Sequence, residues 1–361
     1  MRELTKTVRR TWMAVALFGM VLAPGAFAQE PLRVILFIGD GVGASYWTAA
    51  RFNTDALAVA QMPVGGLIDT RSSSSKVTDS AAGATAYSAG IRTFNGAIGV
   101  APDSTPVATV LEVARDRGLA TGLVATSSIT HATPASFAAH VPARSMEFEI
   151  ARQLAHSGIT VMLGGGLRFF SPDSRPDSVD LLSVLARDHT VLTSRAELDG
   201  FEPERDRAVV GLFADAGLPR ASERDLRLSQ MTEVALAVLD ADPDGFFLMV
   251  EASQPDWRGH GNEPLEEIVA EMQDYDIAIA SALRYRDAHP ETLILVVADH
   301  ETGGLAIGVD GTDSPTASYT TAGHTAQMIP LFAVGPGSAQ FGGMHDNYRI
   351  GEMLMQIVRQ R

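Results

Sequence analysis

Three apolar runs in this chain stop at a carboxylate, and this restricts the fold more than any other feature. Residues 31–38 (PLRVILFI) lead to Asp40, 246–250 (FFLMV) to Glu251, and 292–298 (TLILVVA) to Asp299. Runs this short and this uniformly apolar read as strands buried on both faces of a parallel sheet, because a half-exposed strand would alternate. Leu119–Ala125, Ile159–Leu163 and Ile329–Val334 add further strands, and helical periodicity between them gives a β-α-β rhythm. The expected fold class is α/β, a three-layer sandwich with a mostly parallel central sheet flanked by helices. An acid just past such a strand lies where α/β sheets place their chemistry. Several unpaired charges at one sheet edge would repel strongly, so the pattern predicts cations among them.

The second organising stretch is residues 77–86 (VTDSAAGATA), where Ser80 precedes residues with almost no side-chain bulk. A helix starting at Ser80 could pack closely on a sheet, with its unpaired N–H groups and partial positive charge at the serine oxygen. Such an end suits a phosphate or a serine oxyanion. Taken by itself, the stretch is a serine N-cap on a buried alanine-rich helix. The loop Gly39-Asp40-Gly41-Val42-Gly43 is a weak dinucleotide signal, as no acidic residue closes a second strand about 20 positions on.

Residues 1–28 read as a secretory signal peptide. Arg2, Lys6, Arg9 and Arg10 precede an apolar core at 12–22, and Ala26-Phe27-Ala28 fits an A-x-A cleavage site. The core is too short to span a bilayer, so after cleavage residues 29–361 are expected to form a single domain with no membrane partner, periplasmic or secreted. The whole chain carries a net charge of −15, and loss of that basic segment makes the remainder more acidic. So acidic a surface argues against nucleic acid as a dedicated partner. With 0 cysteines, any metal must be held by imidazoles, carboxylates and hydroxyls.

Between the strands, helices are expected from Thr105–Pro106 to about Arg117, over Arg144–His156, near Val179–Arg187, over Met231–Leu239, over Pro264–Ala288 and near Tyr348–Gln360. Residues 171–227 are polar and read as a variable excursion of the same fold. The histidines favour the cation reading. Asp256 and His260 are four apart and would share one face of a helical turn, His300 follows Asp299, and His324 lies in a loop before the last strong strand. Any one of these is more often an ordinary histidine, but together they fit N/O ligation of zinc or of zinc with magnesium.

The chain resembles the alkaline phosphatase family over essentially all of residues 32–359. The resemblance is carried by 39–43 (GDGVG), 78–82 (TDSAA), 131–135 (HATPA), 250–260 (VEASQPDWRGH), 298–304 (ADHETGG) and 323–325 (GHT), in this order. It implies a phosphomonoesterase acting on small-molecule phosphate monoesters through a phosphoserine on Ser80, with Arg144 gripping the phosphate. It implies two Zn2+ and one Mg2+: Asp256, His260 and His324 at one zinc, and Asp40, Asp299 and His300 at the other with Ser80 beside it. By the same resemblance Glu251, Thr133 and His131, sharing Asp40, look like the magnesium-type site. Family members are often dimers, so a homodimer is compatible with the resemblance. From sequence alone, Arg144 would be a surface residue opening a helix.

Two positions depart from the family's best-known bacterial enzymes, which carry Asp in place of His131 and Lys in place of Trp257. A histidine makes the third site softer, and loss of a cation at Trp257 should ease product release. The alternatives are a phosphodiesterase or phosphonate hydrolase of the same superfamily, or a non-catalytic phosphate- or metal-binding exported protein.

Overall fold

The computed structural model describes residues 31–204 and 207–360; the signal-peptide reading of 1–28 lies outside them. The chain begins with β1 (Leu32–Gly39), α1 (Ala44–Asn53), β2 (Val64–Asp69), α2 (Ser80–Ala89) and α3 (Val110–Asp116). Then come β3 (Ala120–Ser128), α4 (Ala132–Ala135), α5 (Glu147–Leu154) and β4 (Val161–Gly165). The polar stretch holds α6 (Leu181–Leu185), β5 (His189–Leu192), α7 (Arg195–Asp199) and β6 (Ala208–Leu212). Next are α8 (Leu228–Leu239), β7 (Gly245–Ala252), α9 (Gln254–His260), α10 (Leu265–Ala288) and β8 (Thr292–Ala298). Short strands β9 (Glu301–Thr302), β10 (Ala306–Val309), β11 (Pro315–Ser318) and β12 (His324–Thr325) precede β13 (Ile329–Val334), β14 (Gly343–Asp346) and α11 (Asn347–Arg359).

Among the described residues ten strands form one sheet, in the order β14-β2-β13-β8-β1-β7-β3-β4-β6-β5. Of these ten described strands, β13 alone runs antiparallel to its neighbours. The expected three-layer α/β sandwich is therefore present. Strands β1, β7 and β8 sit at its centre, and Val34 to Ile38 are wholly buried. Burying each such side chain contributes roughly 1.5–3 kcal/mol, which is why this stretch is apolar on both faces. Helices α1, α8 and α10 pack together as one outer layer, and α2, α3, α4 and α11 as the other.

Several local expectations need correction. The helix expected from Thr105 starts only at Val110: Thr109 takes the cap in a reciprocal box with Glu112, and Pro106 lies in a β-bridge to Val100. The helix expected from Arg144 begins at Glu147, which leaves Arg144 in the loop before it. Residues 171–227 are more than an excursion, because they add β5 and β6 to the sheet. Their strands are short, and β5 is half-buried, so no long apolar run marks them. Asp79, not Ser80, caps α2, accepting the Ala82 N–H at 3.1 Å.

The sheet is finished off where the chemistry begins. β13 pairs with β8 only as far as Val296, which frees the last carbonyls of β8. Hydroxyls from both helical layers take them: Tyr87 of α2 donates to Ala298 O at 2.6 Å, and Tyr275 of α10 to Val297 O at 3.4 Å. Both contacts brace the backbone immediately before Asp299.

Candidate active site

The parallel register sets the three strand-end acids side by side. Ile38 pairs with Glu251, and Gly39 pairs with Ala252 on one side and Ala298 on the other. Asp40, Glu251 and Asp299 are all 0% exposed. Burial pushes Asp40 well above the carboxylate range, and Asp299, Asp256 and Glu251 add to the effect. Burial lifts Glu251 to about 7, against hydrogen bonds from Ser253 and Ser127. Burial also raises Asp299, although the Gly41 N–H donates to its Oδ1 at 3.1 Å. Gly41 is required there: its φ is +71°, and a Cβ would meet Thr302 Oγ1 at 2.7 Å and Asp256 Cα at 2.8 Å.

Helix α2 brings Ser80 to this edge. The lack of side-chain bulk after Ser80 has a steric cause, since a Cβ on Gly83 would meet Asp299 O at 3.0 Å. Ser80 is 2% exposed. Its Oγ lies 3.3 Å from His300 Nε2 and 3.5 Å from both Asp40 Oδ1 and Arg144 Nη1. Arg144 reaches it from the loop before α5, its own N–H anchored on Gly96 O at 2.8 Å. The guanidinium also contacts Asp79 Oδ2 at 3.3 Å and donates to His131 Nε2 at 3.0 Å. Arg144 is thus aimed at the serine and is not a free surface residue.

A second group gathers outside Ser80. His260 Nε2 is 3.1 Å from His324 Nε2 and 3.4 Å from Asp256 Oδ1, and His324 Nε2 is 3.6 Å from the same oxygen. Asp256 and His260 share a face of α9, as their spacing predicted. Each histidine is oriented by a backbone carbonyl at Nδ1: Ala322 O at 2.6 Å for His260 and Thr78 O at 2.9 Å for His324. That places the proton on Nδ1 and turns the Nε2 lone pairs inward. His300 stacks on His324 with ring centroids 3.5 Å apart, and its Nε2 lies 3.4 Å from Asp299 Oδ2 and 3.5 Å from Asp40 Oδ1. Burial, with His324 beside it, drives the His300 pKa well down, so the ring is neutral.

The third group joins Asp40, Glu251 and His131. Glu251 Oε2 accepts from Ser253 at 2.7 Å and Ser127 at 3.1 Å, leaving Oε1 free. Burial and Arg144 lower His131 to about 3, keeping it a neutral acceptor. Trp257 stands edge-on to His131 at 6.2 Å. Thr133 lies within electrostatic reach of Glu251, yet its Oγ1 forms no well-aligned hydrogen bond.

Three sets of donor atoms lie within 4.8 Å of one another: Asp256–His300–His324, Asp40–Asp299–His300 and Asp40–His131–Glu251. These sets contain seven of the ten residues expected to hold metals, and Ser80, Thr133 and His260 lie beside them. His300 borders both of the inner and outer groups, and His260 stands at the outer rim. The buried atoms Asp40 Oδ2, Asp299 Oδ2, Glu251 Oε1, Thr133 Oγ1 and His131 Nδ1 have no hydrogen-bond partner among the described residues. Orphaned carboxylate oxygens at this depth fit divalent cations, which would satisfy them and offset their repulsion. Sequence reasoning missed the hydroxyls that hold these groups. Ser127 and Ser253 brace Glu251, and Thr302 donates to Asp256 Oδ1 while lying 3.3 Å from His300 Nδ1. Ser253 and Thr302 each follow a ligand-type residue by two positions, but serine and threonine are too common for that spacing to signal anything.

The family model described as alkaline phosphatase matches residues 32–320. Alkaline phosphatase 3 of Bacillus subtilis (strain 168) is 40% identical, over 93% of this chain and 92% of its own. The solved alkaline phosphatase of the Antarctic bacterium TAB5 superposes with a TM-score of 0.86 at 40% identity, covering 92% of this chain and all of that one. A histidine-to-aspartate variant of the TAB5 enzyme, with magnesium bound in its M3 site, superposes with a TM-score of 0.85 at 38% identity over 91% of this chain and 98% of that one. With the same fold, the same span and a serine set among clustered acids and imidazoles, the chain belongs to the alkaline phosphatase family, metal-dependent hydrolases of phosphate monoesters.

Proposed function

We propose that residues 29–361 act as one exported catalytic domain that hydrolyses small phosphate monoesters through a phosphoserine on Ser80. The carrying observation is the position of Ser80 Oγ, 3.3–3.5 Å from His300, Asp40 and Arg144 at the N-terminus of α2. Asp256, His260 and His324 would hold one zinc, Asp40, Asp299 and His300 a second, and Glu251, Thr133, His131 and Asp40 a third, magnesium-type ion. Bound there, the ions would supply the positive charge that makes a serine alkoxide and a hydroxide accessible at neutral to alkaline pH.

The chain's own groups then perform two displacements. Arg144 binds two non-bridging phosphoryl oxygens as a fork, aligning phosphorus on Ser80. Ser80 Oγ forms a bond to phosphorus while the ester P–O bond breaks and the alcohol leaves. Water then attacks from the vacated side, the Oγ–P bond breaks, and inorganic phosphate departs with Ser80 restored. Helix α2 points its free N–H groups at the transferred group in both steps. Export is supported by the basic start, apolar core and A-x-A site of residues 1–28. Among the described residues no helix is long and apolar enough to cross a membrane.

The third group separates this reading from a phosphodiesterase. A cation held by Glu251, Thr133 and His131 would balance the extra negative charge of a monoester's phosphoryl group. p-Nitrophenyl phosphate should therefore be hydrolysed with a kcat/KM at least about 10³-fold above that for bis-p-nitrophenyl phosphate, roughly 4 kcal/mol of transition-state preference. Equal or reversed values would favour the diesterase reading.

A further inference from the structure

Glu301 is a carboxylate 1% exposed to solvent, and neither nucleophile chemistry nor ligation uses it. Its Oε1 accepts the Leu305 N–H at 3.0 Å, and its Oε2 accepts the Gly304 N–H at 3.3 Å and the Thr325 hydroxyl. The three donors are neutral. Burying a carboxylate on neutral donors is expensive, so a side chain of this kind needs a purpose a leucine could not serve.

Its connections run from the outer group on one side to the turn after Asp40 on the other. Glu301 and Thr302 form β9, which pairs antiparallel with β12: Thr325 lies opposite Glu301, and His324 opposite Thr302. A ribbon of two residues per strand does not hold itself together in water. Yet His324 Nε2 must keep its place 3.1 Å from His260 Nε2 and 3.6 Å from Asp256 Oδ1. The Thr325–Glu301 hydrogen bond ties the ribbon one residue from His324. On its other side the Glu301 stem is wedged against the turn that follows Asp40, where a Cβ on Gly43 would meet Glu301 Cγ at 2.4 Å. Glu301 therefore links the strand that carries His324 to the turn that carries Asp40.

We infer that Glu301 is a positioning residue, a clamp that holds β12 against the β1–α1 turn and so sets the affinity of the outer cation position formed by Asp256, His260 and His324. The inference rests on the metal reading above. It concerns binding of the ion, so its effect is visible without turnover.

The test is zinc titration of the metal-stripped full chain in competition with a chelating indicator, for wild type, E301Q, T325V and H260A. H260A removes an outer ligand directly and so marks which zinc equivalent belongs to the outer position. E301Q keeps the volume and one acceptor oxygen but loses the charge, and T325V removes only the hydroxyl. Both should weaken the equivalent that H260A weakens, by about 10–100-fold, and leave the other at its wild-type affinity. Wild-type zinc affinity in E301Q and T325V, with or without a lower melting temperature, would overturn the clamp while leaving the metal reading intact. Failure of the wild type to take up zinc would overturn the metal reading itself. If E301Q does not fold, T325V decides the matter.

Discussion

Ser80→Ala is expected to lower kcat on p-nitrophenyl phosphate by on the order of 10⁴-fold, with the protein folded and its metals still bound. The size follows from the proposed role of Oγ as the atom that bonds to phosphorus, and Ser80 Oγ contacts Arg144, Asp40 and His300 together. The folded protein should hardly notice the change. The three Oγ contacts are 3.3–3.5 Å long, alanine suits the first turn of α2, and a surface-like cost within about 1 kcal/mol is expected. The check is acid trapping of a labelled phosphoenzyme alongside steady-state rates. Wild type should give a trapped phosphoserine and the variant none. Wild-type turnover in Ser80→Ala would remove this nucleophile from the mechanism.

Asp40→Asn should have opposite consequences with and without metal. Asp40 belongs to two of the three donor sets, and its Oδ2 is buried without a partner. In the metal-free protein burial is the main penalty on ionised Asp40, and repulsion from Asp299, Asp256 and Glu251 adds to it. Replacing it with a neutral amide removes that repulsion, so the stripped variant should be more stable than stripped wild type by roughly 1–3 kcal/mol. In the loaded protein the same change removes a shared ligand, so kcat should fall at least about 10³-fold and the gain in melting temperature on adding zinc should shrink. Melting curves with and without zinc make the comparison. Lower stability of Asp40→Asn in both states would mean that the acid is held by hydrogen bonds and not by cations.

Much of the site was legible because its acids and imidazoles sit at strand ends and in short local motifs. Asp40, Glu251 and Asp299 could be read from where apolar runs stop, and Asp256 with His260 from a four-residue helical spacing. The central strands were legible for the same reason, being apolar on both faces. What stayed hidden depends on contacts between distant segments. Arg144 looked like a helix start, and only the loop before α5 turns it toward Ser80. Glu301 and Thr302 acquire their tasks through a two-residue ribbon that has no sequence signal. Strands β2 and β14 were missed because β2 carries two glycines and partly exposed positions and β14 is largely polar, as suits the sheet's edge. The departures at His131 and Trp257 are a pair in space, with ring centroids 6.2 Å apart, and Arg144 donates to the His131 ring.

The central claim is that these acids and imidazoles cage divalent ions beside the Ser80 hydroxyl, and metal content measured together with activity tests it most directly. Purified protein should carry about two zinc and one further divalent ion per chain, lose both metal and activity on chelation, and regain activity when zinc and magnesium are restored. Full phosphatase activity in protein stripped of every divalent ion would contradict it.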